Sequence, residues 1–317
     1  MAVVRSDFWR GGLLAAFFML PNIGHAQPAF PQPATPPPVQ PPPVQPTIVN
    51  SAADLAMRMT VPVTIRGIGP YQFVVDTGAD RSVISRELAD RLGLESTGTA
   101  TLHSMSGVEQ VPTVGLERLG IAGREIARIK APALSESNLG AQGLLGIDSL
   151  KDRRIIMDFV AKTLTIAEPG AREPVDPDMI VVSARSRYGQ LVLVDAEIDN
   201  VHVTVIIDSG AQNTIGNPAL RALLAKRHRK MVFTPTVLID VTGGHLAADI
   251  AHVTKVRIAN INLGQMPIAF ADAHPFKQFG LQTRPAMLLG IDTLRSFRRV
   301  SVDFAQRKVR FLLPGDV

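Results

Sequence analysis

Short apolar runs rich in Val and Ile, broken by Gly, Pro and charged residues, recur along most of the chain. The stretch "VPVTIRGIGPYQFVV" (61–75) predicts two strands around a turn, and "LVDAEIDNVHVTVII" (193–207) predicts the same pair again. Runs of this length, bounded by turn residues, are typical of strands, whereas a helix needs a longer amphipathic pattern. The pattern therefore predicts an all-β fold class, mainly β with one or two short helices in each half of the chain.

An internal repeat organises these runs. Residues 71–94 and 203–226 each carry an apolar run, then Asp, Thr or Ser, Gly and Ala, and then a helix-like stretch. Residues 143–166 and 287–312 share a second pattern, in which Leu-Leu-Gly-Ile-Asp starts at the second residue of each range. Because the two patterns keep their order in both halves, we predict a duplicated chain with two homologous lobes.

The first fifty residues differ from the rest in composition. Two arginines, a short apolar core and small residues before position 27 form the three-part layout of a secretory signal peptide, with an uncleaved anchor as the alternative. Repeated proline then favours an extended spacer. We predict a signal peptide (1–26), a Pro-rich linker (27–50), the first lobe (51–168), a second linker (169–177) and the second lobe (178–317).

The export signal sets the expected location and partners. We expect a periplasmic or secreted bacterial protein without stable membrane insertion after signal cleavage. The net charge of +5 is modest, and no nucleic-acid recognition motif is present, so no nucleic acid is expected as a partner. The chain has no cysteine, which excludes disulfides and thiolate chemistry. Its seven histidines show no metal-ligand spacing, so we expect no metal and no cofactor.

The two acidic loops carry the candidate chemistry. A pseudo-twofold axis between the lobes would bring Asp76 and Asp208 face to face. A buried carboxylate is costly, but two that share one proton can serve as a base and an acid at once. Glycine at 78 and 210 lets the backbone approach the carboxyls closely, and the hydroxyls of Thr77 and Ser209 are short enough to cross between the loops. We therefore predict a bilobal, pseudo-twofold fold built around one pair of aspartates.

These motifs resemble the retropepsin-like aspartic proteases, the family of retroviral and pepsin-type peptidases. Asp-Thr-Gly-Ala at 76–79 and Asp-Ser-Gly-Ala at 208–211 resemble the catalytic loops, and Leu-Leu-Gly at 144–146 and 288–290 resembles the stretch that crosses beneath them. The resemblance implies an acid-protease fold and an aspartic endopeptidase, in which Asp76 and Asp208 activate a water. It also implies a peptide or protein substrate in extended form. The residues that the resemblance implies as supports of the catalytic loops are Thr77, Gly78, Ala79, Ser209, Gly210 and Ala211.

The resemblance extends to the walls of a cleft. Asp80 matches the family at the position after the loop, whereas the second lobe has Gln212 there, so the two sides are expected to contact a substrate differently. Hairpins at 102–112 and 238–250 are expected either to form flaps over the cleft or to be plain turns. Their predicted tips are Ser106, Gly107, Gly243 and Gly244. One chain holds both aspartates, so a monomer should suffice.

One feature of the loops bears on the pH at which the pair of aspartates should be active. Pepsin-type loops carry Ser where this chain has Ala79 and Ala211. Without that hydroxyl the ionised pair is stabilised less, which predicts an activity optimum at about pH 4.5–6.5.

A catalytically silent bilobal peptide-binding protein and a structural envelope protein stay open as alternatives, since fold does not imply function. The other repeated aspartates are expected to cap helices and end strands. They are Asp148, Asp158, Asp292 and Asp303.

Overall fold

A computed structural model gives the backbone of residues 47–50 and 52–53, and describes 58–168, 171, 176–193 and 196–314 fully. The predicted signal peptide and most of both predicted linkers lie outside these residues. The predicted domain boundaries therefore stay predictions. Among the described residues, no helix is both long and apolar enough to cross a membrane.

The first half of the chain is built of strands with three short helices in its described part. The strands are β1 (Thr47–Asn50), β2 (Ala52–Ala53), β3 (Met59–Ile65), β4 (Ile68–Val75), β5 (Val83–Ser85), β6 (Ser96–His103), β7 (Val108–Ile121), β8 (Arg124–Leu134), β9 (Gly143–Leu145), β10 (Arg154–Asp158) and β11 (Thr163–Ala167). The helices are α1 (Arg86–Arg91), α2 (Glu136–Leu139) and α3 (Ile147–Leu150).

The second half has the same character. Its strands are β12 (Met179–Ser183), β13 (Arg185–Arg187), β14 (Gln190–Leu193), β15 (Ala196–Ile198), β16 (Val201–His202), β17 (Thr204–Ile207), β18 (Ile215–Gly216), β19 (Thr234–Ile239), β20 (His245–Val253), β21 (Val256–Ile258), β22 (Ile261–Leu263), β23 (Met266–Phe270), β24 (Ala286–Leu289), β25 (Arg299–Asp303) and β26 (Lys308–Leu312). Its helices are α4 (Pro218–Arg227), α5 (His274–Gln278) and α6 (Ile291–Leu294).

Both halves contain the same central strand arrangement, which confirms the predicted bilobal, mainly β fold. In the first lobe β4 runs parallel to β9, β9 runs antiparallel to β5, and β5 runs parallel to β8. In the second lobe β17, β24, β18 and β23 repeat these pairings in the same order and direction. An additional pairing of β3 with β7 closes the first sheet into a barrel.

A third sheet joins the lobes. Its strand order is β1-β11-β10-β25-β26-β12, so three strands of the first half and three of the second half lie side by side in one antiparallel sheet. Across the lobe boundary β10 pairs with β25, with Met157 opposite Val300 and Ile155 opposite Val302. All four side chains are fully buried. Burial of this apolar surface fixes the lobes in one relative position.

The helices differ from the prediction in number. The described part of each lobe has three rather than one or two, and the unexpected ones are the single turns α2 and α5. Four or five residues cannot display a 3.6-residue apolar period, so the sequence carries no signal for them.

Candidate active site

Asp76 and Asp208 lie directly after buried parallel strands. The amide of Asp76 donates to the Leu145 carbonyl at 3.0 Å, and the amide of Asp208 donates to the Leu289 carbonyl at 3.1 Å. Each aspartate therefore follows a strand that pairs with the Leu-Leu-Gly stretch of its own lobe. The side chains are 9% and 8% exposed.

The glycines of the two loops bring the carboxyls together across the lobe boundary. A methyl group on Gly78 would lie 2.5 Å from Cγ of Asp208, and one on Gly210 would overlap the carboxyl of Asp76. Each glycine is thus packed against the aspartate of the opposite lobe. Only a residue without a side chain allows the two carboxyls to lie side by side.

Backbone amides hold one oxygen of each carboxyl in the same way. Oδ1 of Asp76 accepts from the amides of Gly78 and Ala79 at 2.8 and 3.0 Å. Oδ1 of Asp208 accepts from the amides of Gly210 and Ala211 at 3.1 and 3.0 Å. The matching geometry fixes the orientation of both side chains and favours their ionised forms.

Thr77 and Ser209 interlock beneath the carboxyls. The Ser209 amide donates to Oγ1 of Thr77 at 3.0 Å, and the Thr77 amide donates to Oγ of Ser209 at 3.1 Å. The two hydroxyls in turn donate to the carbonyls of Ile207 and Val75, each in the opposite lobe. Four buried hydrogen bonds therefore tie the loops, and a site held this rigidly keeps its geometry.

Burial raises the pKa of both aspartates. The pKa of Asp208 rises from 3.8 to about 7, because burial and then the nearby Asp76 charge disfavour its ionised form. Burial also raises the pKa of Asp76, but the amides of Gly78 and Ala79 and the positive charge of Arg58 act against it. Two adjacent carboxyls cannot both ionise easily, so the pair retains one proton over the mildly acid range.

Each aspartate loop is hydrogen-bonded to one of the four repeated aspartates, which were expected to cap helices and end strands. Asp148 accepts from the amide and hydroxyl of Ser82 at 2.9 and 2.7 Å. Asp292 accepts from the amide and hydroxyl of Thr214 at 2.9 and 2.7 Å. Neither α3 nor α6 has a side-chain cap, so the capping prediction is wrong for these two residues. Their carboxylates accept from the loop of the same lobe, and Oδ1 of Asp292 also accepts from the amide of Thr293 at 2.6 Å.

The other two repeated aspartates do end strands. Asp158 accepts from the amide of Ala161 at 2.8 Å, directly after β10. Asp303 accepts from the amide of Gln306 at 2.8 Å, directly after β25. Both lie in the sheet that joins the lobes, where Arg299 also pairs with Asp158 at 2.8 Å.

A cleft of about 690 Å³ opens over the two carboxyls. Apolar side chains line it from both lobes, among them Val83, Leu134, Leu144, Ile215, Val237 and Leu288. Asp80 and Gln212 lie in its wall at equivalent positions. Arg81 and His103 line the wall on the side of Asp80, whereas Asn213 stands beside Gln212, so the first lobe has ionisable side chains where the second has neutral amides.

Two hairpins roof the cleft, and their tips contact each other. The first is β6–β7 and the second is β19–β20. The amide and hydroxyl of Ser106 donate to Oδ2 of Asp240 at 2.9 and 2.6 Å. Oδ1 of the same carboxylate accepts from the amides of Thr242 and Gly244 at 2.9 Å. Asp240 thus joins the first hairpin to the second.

The predicted tip residues serve this contact. Gly244 packs against the Ser106 side chain, and Gly243 packs against Asn138. The Gly107 carbonyl accepts from the amide of Ser104 within its own hairpin at 2.8 Å. The cleft wall is formed by flanking residues such as Met105 and Val241 rather than by the four tip residues. Their role in substrate binding stays a prediction.

Three groups at the site were missed by the sequence analysis. Arg58 donates to the Gly210 carbonyl at 3.4 Å, and Gln190 donates to the Gly78 carbonyl. Each lies eighteen positions before the aspartate of its lobe, so the repeat contained the signal. Asp240 precedes Val-Thr-Gly-Gly, which predicts a local turn but not a partner in the other lobe.

A pair of histidines adds a second contact from the first hairpin to the second lobe. Nδ1 of His103 lies 2.8 Å from Nε2 of His274, and the rings stack with centroids 5.1 Å apart. Burial, and then the His103 and Lys277 charges, lower the pKa of His274. Across the residues described in full, no three His, Cys, Asp or Glu side chains are grouped to hold a metal ion.

Comparison with known families divides the chain at the same place as the repeat. Residues 61–152 match the family model described as gag-polyprotein putative aspartyl protease. Residues 194–293 match the one described as aspartyl protease. No curated protein matches the chain. Each family match contains one of the two aspartate loops.

Proposed function

Because the chain carries two retropepsin-like aspartyl protease domains in tandem, we propose that it is an aspartic endopeptidase with Asp76 and Asp208 as its catalytic residues. One observation carries the proposal. Both carboxyls are buried side by side, each fixed by two backbone amides, at the base of a cleft that both lobes line.

The chemistry follows from one proton shared by two carboxyls. The ionised carboxylate takes a proton from a water as the water oxygen bonds to the peptide carbonyl carbon. The protonated carboxyl donates its proton to the carbonyl oxygen, so a neutral tetrahedral diol forms. The first carboxyl then gives its proton to the amide nitrogen as the carbon–nitrogen bond breaks. The second recovers its proton from the diol, and both return to their starting state.

The cleft supports an extended protein segment as substrate. Apolar side chains lie on both sides of the dyad, which favours apolar residues on either side of the cleaved bond. The two hairpins lie over the cleft, where they would shield a bound segment from bulk water. The signal-peptide layout of residues 1–26 supports action in the bacterial envelope or outside the cell, which fractionation of tagged protein would test.

Cleavage of an unfolded protein by the purified chain tests the proposal. Wild type, Asp76→Asn and Asp208→Asn are compared at about pH 4–7, where the pair should hold one proton. Asp90→Asn is the matched control, because Asp90 is an exposed carboxylate on α1 away from the cleft. We expect wild type and the control to cut and both dyad variants to lose activity. Cleavage by either dyad variant at the wild-type rate would contradict the proposal.

A further inference from the structure

Arg58 and Gln190 break the symmetry of the site. They occupy equivalent positions in the repeat and reach across the lobe boundary in equivalent ways, each donating to the carbonyl of a loop glycine in the other lobe. Arg58 also donates to the Leu139 carbonyl, which anchors its guanidinium. The two side chains are 2% and 9% exposed. A charge therefore stands on one side of the pair and a neutral amide on the other.

The two glycines identify which aspartate each side chain flanks. Gly210, whose carbonyl accepts from Arg58, packs against Asp76. Gly78, whose carbonyl accepts from Gln190, packs against Asp208. The cation lies beside Asp76 in a place that water hardly reaches, where charges interact more strongly than at the surface.

Among the residues described in full, the other charged groups of the cleft wall do not offset this asymmetry. Besides the dyad, the charged or titratable side chains described in the cleft wall are Arg58, Asp80, Arg81, His103 and Asp240. The Asp240 carboxylate accepts hydrogen bonds from Ser106 and Thr242. Asp80 interacts with Arg81 and His103. Arg58 is the one among them whose charge acts on Asp76.

We propose that Arg58 is a positioning residue that places the shared proton, making Asp76 the ionised base and Asp208 the protonated acid of the free protein. The inference rests on the proposed function for its catalytic meaning, but proton placement is measurable without turnover. The Arg58 charge lowers the pKa of Asp76 against the effect of burial, whereas burial and the Asp76 charge raise the pKa of Asp208 to about 7. In hydrolysis, Asp76 takes the water proton and Asp208 protonates the carbonyl oxygen.

Carbon NMR of the full chain labelled at the aspartate carboxyl carbons tests the placement directly. The two dyad signals are assigned from the single variants Asp76→Asn and Asp208→Asn. We expect the Asp76 carbon of wild type to titrate first and the Asp208 carbon to stay protonated to about pH 7. Ionisation of Asp208 before Asp76 would overturn the inference, whatever the variants below do.

Exchanging the two side chains separates charge from packing. Arg58→Gln copies the second lobe, keeps a donor and removes the charge, and should raise the lower apparent pKa of the pair by about one unit or more. Arg58→Lys, which keeps the charge, should leave that pKa nearly unchanged. The double exchange Arg58→Gln with Gln190→Arg should move the proton to Asp76. A folded Arg58→Gln variant with an unaltered titration would contradict the inference.

Two further readouts keep the test decisive. If Arg58→Gln fails to fold, Gln190→Arg alone adds a cation beside Asp208 and should narrow the gap between the two apparent pKa values; an unchanged gap would contradict the inference. In an active protein, the acid limb of the kcat/KM profile should shift to higher pH in Arg58→Gln but not in Arg58→Lys. If proton placement is as stated and peptides are not cut, the proposed function fails and this inference stands.

Discussion

At the scale of single residues, the site depends on two carboxyls that can lie side by side because they share one proton. Gly78 and Gly210 permit the contact, and paired backbone amides orient each carboxyl. Burial makes ionisation of the second carboxyl costly. The contacts that arrange the two carboxyls for catalysis therefore impose a free-energy cost on the folded state, and this cost depends on pH.

That cost predicts how stability changes with pH. The pKa of Asp208 rises from 3.8 to about 7 on folding, so the folded state binds the proton more tightly between these values. Protonation of Asp208 stabilises the folded state fully below pH 3.8. This stabilisation, about 2–4 kcal/mol of unfolding free energy, is lost as pH rises to about 7. Asp208→Asn should remove this loss, whereas Asp90→Asn should not. Urea unfolding at a series of pH values measures it, and a wild-type stability that rises over this range would contradict the assignment.

The loop glycines predict a second residue-scale effect. Gly78→Ala should push the Asp208 carboxyl aside, costing about 1–3 kcal/mol of folding free energy and about a hundredfold in kcat/KM through misplacement of the carboxyl. Gly264→Ala is the matched control, because a methyl group there would have no atom within 4 Å. Wild-type activity in Gly78→Ala would show that the carboxyls lie farther apart than described.

At the scale of elements, the two hairpins close the cleft through one carboxylate. Burial would raise the pKa of Asp240, but hydrogen bonds from Ser106 and Thr242 outweigh it and lower that pKa to about 2. The carboxylate therefore stays ionised wherever the dyad holds one proton. Its contribution to closure is present above pH 3.8 and is lost only as pH falls towards 2.

Removing that charge should loosen the roof without altering the dyad. Hydrogen bonds to a charged acceptor contribute about 1.5–3 kcal/mol, so Asp240→Asn should speed exchange of the Ser106 amide hydrogen by about ten- to hundredfold. KM for an unfolded protein substrate should change as well. Gln110→Ala, which removes an exposed bond to Thr101 on the same hairpin, is the control. Unchanged exchange at Ser106 in Asp240→Asn would show that the tips are held by something else.

At the scale of the whole molecule, duplication explains both what was predictable and what was not. The loops at Asp76 and Asp208 could be predicted because their motifs are local and occur twice in the same order. Bonds between lobes have no local pattern, so Arg58 and Asp240 were missed although Arg58 lies at a repeated position. The partners of Asp148 and Asp292 lie in the same lobe as each aspartate but more than sixty residues away, so no local pattern indicated them either.

The sheet that joins the lobes belongs to the same scale. Its two sets of three strands come from distant parts of the chain, and only the folded arrangement shows that β10 pairs with β25. This pairing, with the interlock of Thr77 and Ser209, sets the two aspartates opposite each other within one chain. Every molecule should therefore contain a complete active site.

Digestion of a peptide library by separate and mixed dyad variants tests this claim most directly. The samples are wild type, Asp76→Asn, Asp208→Asn and an equimolar mixture of the two variants, all at one pH in the mildly acid range. Wild type should cut, whereas each variant and the mixture should be inactive, because no molecule in the mixture has both aspartates. Activity restored on mixing would mean that the working pair forms between chains, and activity in either single variant would mean that the pair is not the catalytic centre.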